Sequence, residues 1–594
     1  MTAKVIVGGI GVAFVILVYL LALPALSLFY IEGVAFWGMA VVLPLLFVTF
    51  VEITDEGEFG TLSIIFGVTS IIFLLTLLIG GCAGSPMFRS SALHKQLGTV
   101  QERSFTEDIV PIDLNQLPIV DERLARVLGE KKLGEIPALG SQAEVGDFTY
   151  QSYNGKLVLV APIVHNGFFA YNNNKSGTPG YIIVSASNPS DVQLIDNIDG
   201  KSVKIQYQPE AFFGRNLKRH LRNNGYFRGL TETSFEISNE GFPYYVIKEY
   251  EPTIGWSGKE VTRILVVNAT TGEIKPYGLD ELPDFVVRVQ PESFVFKQLE
   301  NWGKHVNGWP NWSNVGRTKP TEGIAKIFAN GRFYFYTTIT SYVNDSSAIG
   351  FVMVDTQTKE TFFYSMSGAT EARAAGAAED VLQQYEYRAS KIPLPINLDG
   401  IPTFLIPLKG NSGLIMQYAF VNIQNFNIVG FGDSLASARL DYMRKYTDAG
   451  NRISFSDKAY SYTAEDVVKR VSQINRDGTT YFYLLLKDND SQLFTCSIDI
   501  SPELVVTEPG DRVKIEYIST NNQMVDIISF DNLEISLAKT EAQIQKEQKV
   551  DSVFRDNLNS TTVIGVNSEE IENTWDNLTD QEKAKILKNI QPKQ

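Results

Sequence analysis

Histidine and cysteine are scarce in this chain: His94, His165, His220 and His305 are its histidines, Cys82 and Cys496 its cysteines. Tetrahedral metal sites draw several such ligands from short spacings, and no Cys-x-x-Cys and no histidine pair at i, i+4 occurs. No metal and no other cofactor is therefore expected. Two cysteines so far apart make no disulfide framework, and they exclude neither side of a membrane. A phosphate-cradling Gly-x-x-x-x-Gly-Lys-Thr/Ser loop is also missing. Cations are outnumbered, 52 Lys and Arg against 67 Asp and Glu, for a formal net charge of -15. Nucleic acid binding draws on clustered Lys and Arg, so no nucleic acid partner is expected.

Charge is scarcest near the N-terminus. Residues 5–30, 35–51 and 61–81 form three apolar runs. The first and third hold about twenty-five and about twenty residues, enough at ~1.5 Å per residue to cross a hydrocarbon core of ~30 Å. The middle run is shorter and carries Gly38 and Pro44. Ile31-Glu32-Gly33-Val34 separates it from the first, which predicts a tight helical hairpin. A secretory signal peptide would have a shorter apolar region and a prompt cleavage site. Lys4 lies on one side of three such spans, and Arg89, Lys95 and Arg103 follow on the other. That count leans toward a cytoplasmic body on an integral protein of a bacterial inner membrane, with an extracytoplasmic body nearly as well supported.

About five hundred residues follow, enough for several modules. The expected organisation is 1–84 transmembrane helices, 85–142 a proline-punctuated tether with a short helix near 121–132, and then repeats. Glycine-led strands start at Gly155, Gly241, Gly331 and Gly400. Each is followed by a second strand, such as Ile264-Leu265-Val266-Val267 and Phe351-Val352-Met353-Val354, and by a polar hairpin turn. Helical stretches at 209–223, 292–306, 369–388 and 434–446 alternate with them. The fold class is thus membrane-anchored α+β, with about four duplicated helix-plus-antiparallel-sheet modules at 143–204, 205–289, 290–368 and 369–450. Residues 451–535 change character, and Glu508-Pro509-Gly510-Asp511 leads into an alternating strand. Residues 536–594 are a polar tail, with a terminal helix expected at 579–589.

Val266-Val267-Asn268-Ala269-Thr270-Thr271-Gly272-Glu273-Ile274, echoed by Val354-Asp355-Thr356-Gln357-Thr358-Lys359-Glu360, resembles the strand-turn-strand signature of PepSY-type modules. Those are small helix-plus-sheet domains of membrane-associated or exported bacterial proteins, for which binding or inhibitory roles are proposed. The resemblance places such modules outside the cytoplasm, against the charge count, and transfers no functional residue. With Thr178-Pro179-Gly180-Tyr181, the layout also looks like multi-span membrane proteins of bacteria and large tailed phages. The Pro-Gly-Asp turn resembles the entry to the third strand of OB-like barrels, read as structural in preference to a ligand face. Leu78-Ile79-Gly80-Gly81-Cys82 resembles a lipobox, placed unusually behind two other spans.

Gly432-Asp433-Ser434-Leu435 resembles the signature of GDSL esterases. That resemblance implies a nucleophilic serine and a histidine base farther along the chain. Every histidine here precedes Ser434, so the expected role of this stretch is to cap a helix. No catalytic residue is assigned. Two candidate binding surfaces remain. Arg215, Lys218, Arg219 and Arg222 share one helix face opposite Phe213, Leu217 and Leu221. They could meet lipid headgroups, a phosphate-bearing ligand or another copy's acidic face, or be solvated beside local acids. Trp302, His305, Trp309 and Trp312 cluster around Gly308 and Pro310, either as a hot spot or packed on a neighbouring repeat. The expectation is a non-enzymatic membrane-anchored scaffold or regulator. Its partners would be the lipid bilayer and a protein or envelope component, a second copy of the chain included. An envelope-directed hydrolase using Ser434 is the alternative.

Overall fold

The computed structural model describes residues 2–56, 60–109, 118–136, 142–321, 323–343, 347–390, 393–398, 400–449, 461–476, 479–518 and 524–535. The tail expected at 536–594, with its helix at 579–589, lies outside them. The chain divides into two units, residues 1–456 and 457–594.

In the first unit, α1 (Thr2–Ala22), α2 (Ile31–Glu56) and α3 (Thr61–Ala83) are long and apolar enough to cross a membrane. Their connection differs from the expected one. Pro24 cannot continue a helix and disfavours helical backbone at the residue before it, so α1 stops at Ala22 and Leu23 takes a left-handed φ of 46°. The link is therefore 23–30, and Ile31 already opens α2. The middle helix is not a weak one. Gly11 lies against Pro44, and a Cβ on Gly38 would sit 2.0 Å from the Phe73 ring, so the apparent helix breakers are where neighbouring helices approach closest. Glu52 is buried near the far end of α2, bonded by Ser63 Oγ at 2.6 Å and paired with Lys4 at 3.3 Å.

Residues 85–142, expected as a tether, are built into the body where they are described. Here α4 (Pro86–Lys95) follows α3 directly, and Val100–Arg103 pairs in parallel with Thr361–Gly368. Next come α5 (Phe105–Asp108) and α6 (Glu122–Gly134), which Asp121 caps through the Leu124 amide at 2.8 Å. Leu124, Ala125 and Leu133 of α6 enter the core of the first sheet. The remaining helices are α7 (Gly167–Asn173), α8 (Leu217–Asn223), α9 (Glu292–Lys304), α10 (Glu371–Val381) and α11 (Leu435–Asp448).

Four sheets contain the same antiparallel four-strand path. The first runs Thr149–Tyr153, Lys156–His165, Tyr181–Ser185, Val192–Ile195, and the second Gly229–Ile237, Pro243–Ile254, Ser257–Asn268, Ile274–Tyr277. The third runs Ala325–Ala329, Arg332–Ser341, Ala348–Asp355, Thr361–Gly368, and the fourth Leu394–Leu398, Ile401–Lys409, Ile415–Asn422, Val429–Gly432. The glycine-led starts have one cause. Gly155, Gly241, Gly331 and Gly400 all have φ between 72° and 86°, the left-handed backbone that the preceding hairpin turn demands. The recurring turn phrase has another. Asn268 Oδ1 accepts from the Thr270 and Thr271 amides, and Asp355 Oδ1 from Gln357 and Thr358, all within 3.0 Å.

Adjacent sheets share cores. The first and second enclose Val160, Leu217 and Ile247, the first and fourth Leu159, Leu405 and Tyr442, and the third and fourth Tyr336, Phe351 and Phe404. Between the second and third sheets lies α9, with Phe294 turned to one core and Val295 and Leu299 to the other.

In the second unit, Ser461–Arg476, Thr479–Leu486, Leu493–Ser497, Met524–Asn532 and Arg512–Ile518 close a barrel in that spatial order around Leu484, Phe494 and Ile515. Gly510, φ 108°, makes the predicted turn, whose Asp511 carboxylate accepts from the Glu508 amide at 2.9 Å.

Candidate functional site

The basic helix face meets the membrane helices. Lys218 Nζ donates to the Ala22 carbonyl at 2.9 Å, Arg219 to Leu20 at 2.6 Å and Arg222 Nε to Leu23 at 3.2 Å. These carbonyls belong to the last turn of α1 and the residue after it. A helix leaves its last four carbonyls without internal partners and carries partial negative charge there. Three cations of the stripe therefore serve a helix end, while Lys218 remains exposed. Arg222 is buried and also donates to the Tyr226 and Arg228 carbonyls. Arg215 instead lies over the Tyr207 ring at 4.6 Å. Leu217 and Leu221 face the core as predicted, whereas Phe213 is 66% exposed with a left-handed φ of 52°.

The junction is reinforced on both sides. Tyr30 Oη donates to the Tyr250 carbonyl at 2.6 Å, and Ala25 and Tyr30 enter the second sheet's core. At the exit of α3, a Cβ on Gly80 would fall 2.3 Å from the Trp256 ring, and Gly84 lies against Ile254 and Trp256. The tip of the hairpin between Pro243–Ile254 and Ser257–Asn268 thus seats on the last turns of α3. Cys82 is exposed in that last turn, within a continuous helix.

The tryptophan cluster separates into two parts. Trp302 packs beside Phe363, and its carbonyl accepts from His94 Nδ1 at 2.7 Å. His305 is buried, which lowers its pKa together with the nearby Lys304 and Arg317 charges. Trp309 and Trp312 are exposed, Trp312 at 89%.

Ser434 sits at the head of α11. Its Oγ accepts from the Ser437 amide at 3.2 Å and lies 2.9 Å from Ser437 Oγ, which itself donates to Asp433 at 3.0 Å. His94 and His220 are engaged elsewhere, His220 with the Gly272 carbonyl at 2.8 Å. Among the described residues, no group of three or more His, Cys, Asp or Glu is placed to hold a metal ion.

A cleft of about 990 Å³ opens between the first three sheets, α6 and α9. Its wall alternates charge: Arg126 pairs with Asp147 at 2.8 Å, Lys326 with Glu122 at 2.8 Å and Glu292 at 3.5 Å, and Arg288 with Glu232 at 3.6 Å. On three residues that line it, Tyr245 Oη, Glu210 Oε2 and Arg288 Nε are buried polar atoms with no hydrogen-bond partner among the described residues. Burial raises the Glu210 pKa, helped by Asp147 and Glu144, and burial with Glu210 and Asp147 raises that of Tyr245 well above its ordinary value. The lining therefore brings a hydroxyl, a carboxyl and a guanidinium together at one cleft. Nothing in the sequence assembles it, since its residues come from segments scattered between 122 and 326. The nearest signal was charge inside an apolar strand, as at Lys248 behind this wall.

No protein-family model and no curated protein matches the chain.

Proposed function

We propose that this is a non-enzymatic, membrane-anchored binding protein, a scaffold or regulator whose body takes part of a protein or envelope partner into the cleft between its first three sheets. The observation that carries this reading is the trio of unpaired buried polar atoms, Tyr245 Oη, Glu210 Oε2 and Arg288 Nε, in one cleft of about 990 Å³. Buried polar groups are ordinarily bonded, and leaving one unmade costs about 1–3 kcal/mol, so a ligand that supplies the partners gains affinity there.

The repeated sheet path supports duplicated PepSY-like modules, and sheets that share cores in succession make a binding surface larger than one module could. The barrel order, with Leu493–Ser497 parallel to Met524–Asn532, supports the OB-like reading of the second unit. Arg89, Lys95 and Arg103, which follow the third span, support a cytoplasmic body.

A photoreactive side chain in place of Phe296, which lines the cleft, tests the reading in intact cells. The expected result is a discrete adduct with a peptide or envelope fragment that weakens with Arg288→Gln. Equal labelling from the same probe at Asn239, outside the cleft, would remove the cleft from the function.

A further inference from the structure

Two exposed aromatic patches lie near the body-side ends of α1 and α3. The first continues from α8. Because Lys218, Arg219 and Arg222 all reach carbonyls at the end of α1, this helix lies across that end. Phe213 precedes it directly, and its left-handed backbone, rare for a bulky side chain, accompanies a largely exposed ring. Phe168 packs against Phe212 at 5.2 Å, Phe213 at 6.2 Å and Phe169 at 5.7 Å, and Phe169 is 81% exposed. These rings cluster with one another and leave their outer faces uncovered.

The second patch begins at the exit of α3. Trp256 marks that level by its contact with Gly80, and α4 starts three residues after α3 ends, with Met87 and Phe88 exposed. Gln96, just beyond α4, bonds to the Lys259 carbonyl at 3.3 Å, only a few residues along the hairpin from Trp256. That holds the end of α4 beside the hairpin whose tip meets α3. Gly308 lies against Ser90 in the middle of α4, and the loop it opens carries Trp309 and Trp312.

We propose that the base of the body is a second, monotopic membrane contact. Phe169 and Phe213 near the end of α1, and Phe88 and Trp312 near the end of α3, seat in the headgroup region of the bilayer that the three helices cross. Aromatic rings favour that region, and exposed apolar clusters of this kind mark interaction sites. Charge agrees: in a chain of net charge -15, Arg89, Lys95, Arg215 and Lys218 lie beside the patches, complementary to anionic lipid. The inference goes beyond the binding reading and rests only on the three helices spanning a membrane.

The test uses the full chain, lacking Cys82 and Cys496, in lipid nanodiscs of mixed zwitterionic and anionic phospholipid. A nitroxide is placed in turn at Phe169→Cys, Trp312→Cys, Leu17→Cys within α1 and Asn239→Cys at the opposite end of strand Pro243–Ile254 from the Trp256 tip. Collision with oxygen relative to a water-soluble nickel chelate is expected to be several-fold higher at 169 and 312 than at 239, and higher still at 17. Asn239-like values at either 169 or 312, with 17 reading as lipid, overturn the proposal. Water-like values at 17 overturn the spanning reading and the proposal together. Should the cysteine variants misfold, brominated lipid should quench a component of native fluorescence that Trp312→Phe removes, and unchanged quenching in that variant also overturns it.

Discussion

Arg219 donates to the carbonyl of Leu20 at 2.6 Å across 199 residues of sequence, so a side chain of the body caps the first membrane helix. Lys218 and Arg222 act beside it, but their surroundings differ. Removing Lys218 or Arg219 to alanine leaves a carbonyl that water or headgroups can reach, a loss of about 1 kcal/mol each. Arg222→Met strands the buried carbonyl of Leu23 and removes the half-buried bonds to Tyr226 and Arg228, for about 3 kcal/mol. Thermal unfolding of the purified chain in detergent should rank Arg222→Met well below the other two.

Lys248 makes stability depend on pH. It is buried, with Nζ 2.8 Å from Ser234 Oγ, which donates to Glu236 at 2.6 Å. Burial, with Arg288 nearby, pushes the ammonium down from 10.5 to about 7, while burial raises Glu236 above 4.5. For Lys248 the unfolded chain binds more protons between those two values, so stability should rise with pH from about 7 toward about 10. For Glu236 the folded chain binds more protons just above 4.5, so stability should fall as pH rises through its raised value. Melting temperatures across pH should show the upper rise in the wild type and lose it in Lys248→Met.

Ser434→Ala removes a helix cap and should cost about 1 kcal/mol. Hydrolysis of a simple aryl ester, measured on the same preparations, should not change. An ester-cleaving activity that disappeared with this substitution would overturn the capping role.

Two glycines separate steric closeness from backbone conformation. A Cβ on Gly430 would lie 2.1 Å from the Tyr442 backbone nitrogen in α11, so Gly430→Ala should cost about 3 kcal/mol and displace that helix. Gly155 has open space around it and only a φ of 72° to satisfy, so Gly155→Ala should cost about 1 kcal/mol. Denaturant unfolding should keep this order.

The end of α1 and the end of α3 both meet the body, and the cytoplasmic body proposed above predicts which side of the membrane its residues face. Asn239→Cys in a background without Cys82 and Cys496 should resist an impermeant thiol reagent in cells with the outer barrier opened, until lysis. Labelling before lysis would put the body outside the cytoplasm and redirect the search to envelope partners.

Local chemistry accounts for what the sequence determined by itself. Three long charge-free runs can only be satisfied in lipid or a core, four glycine-led turns need left-handed backbone, and Asn268 and Asp355 close their own turns within a few residues. Each signal lies within one continuous local stretch, so it survives without knowledge of the fold. Pro44 and Gly38 take their meaning from a neighbour's surface, Gly11 and Phe73, and not from their own helix. The basic stripe was visible as a stripe, but its partner is a helix end almost two hundred residues earlier, and nothing in α8 points to it. Tyr245, Glu210 and Arg288 carry no shared spacing at all. Only the packing of three sheets around α6 and α9 brings them together, because a cleft belongs to the space between elements and each element encodes only its own face.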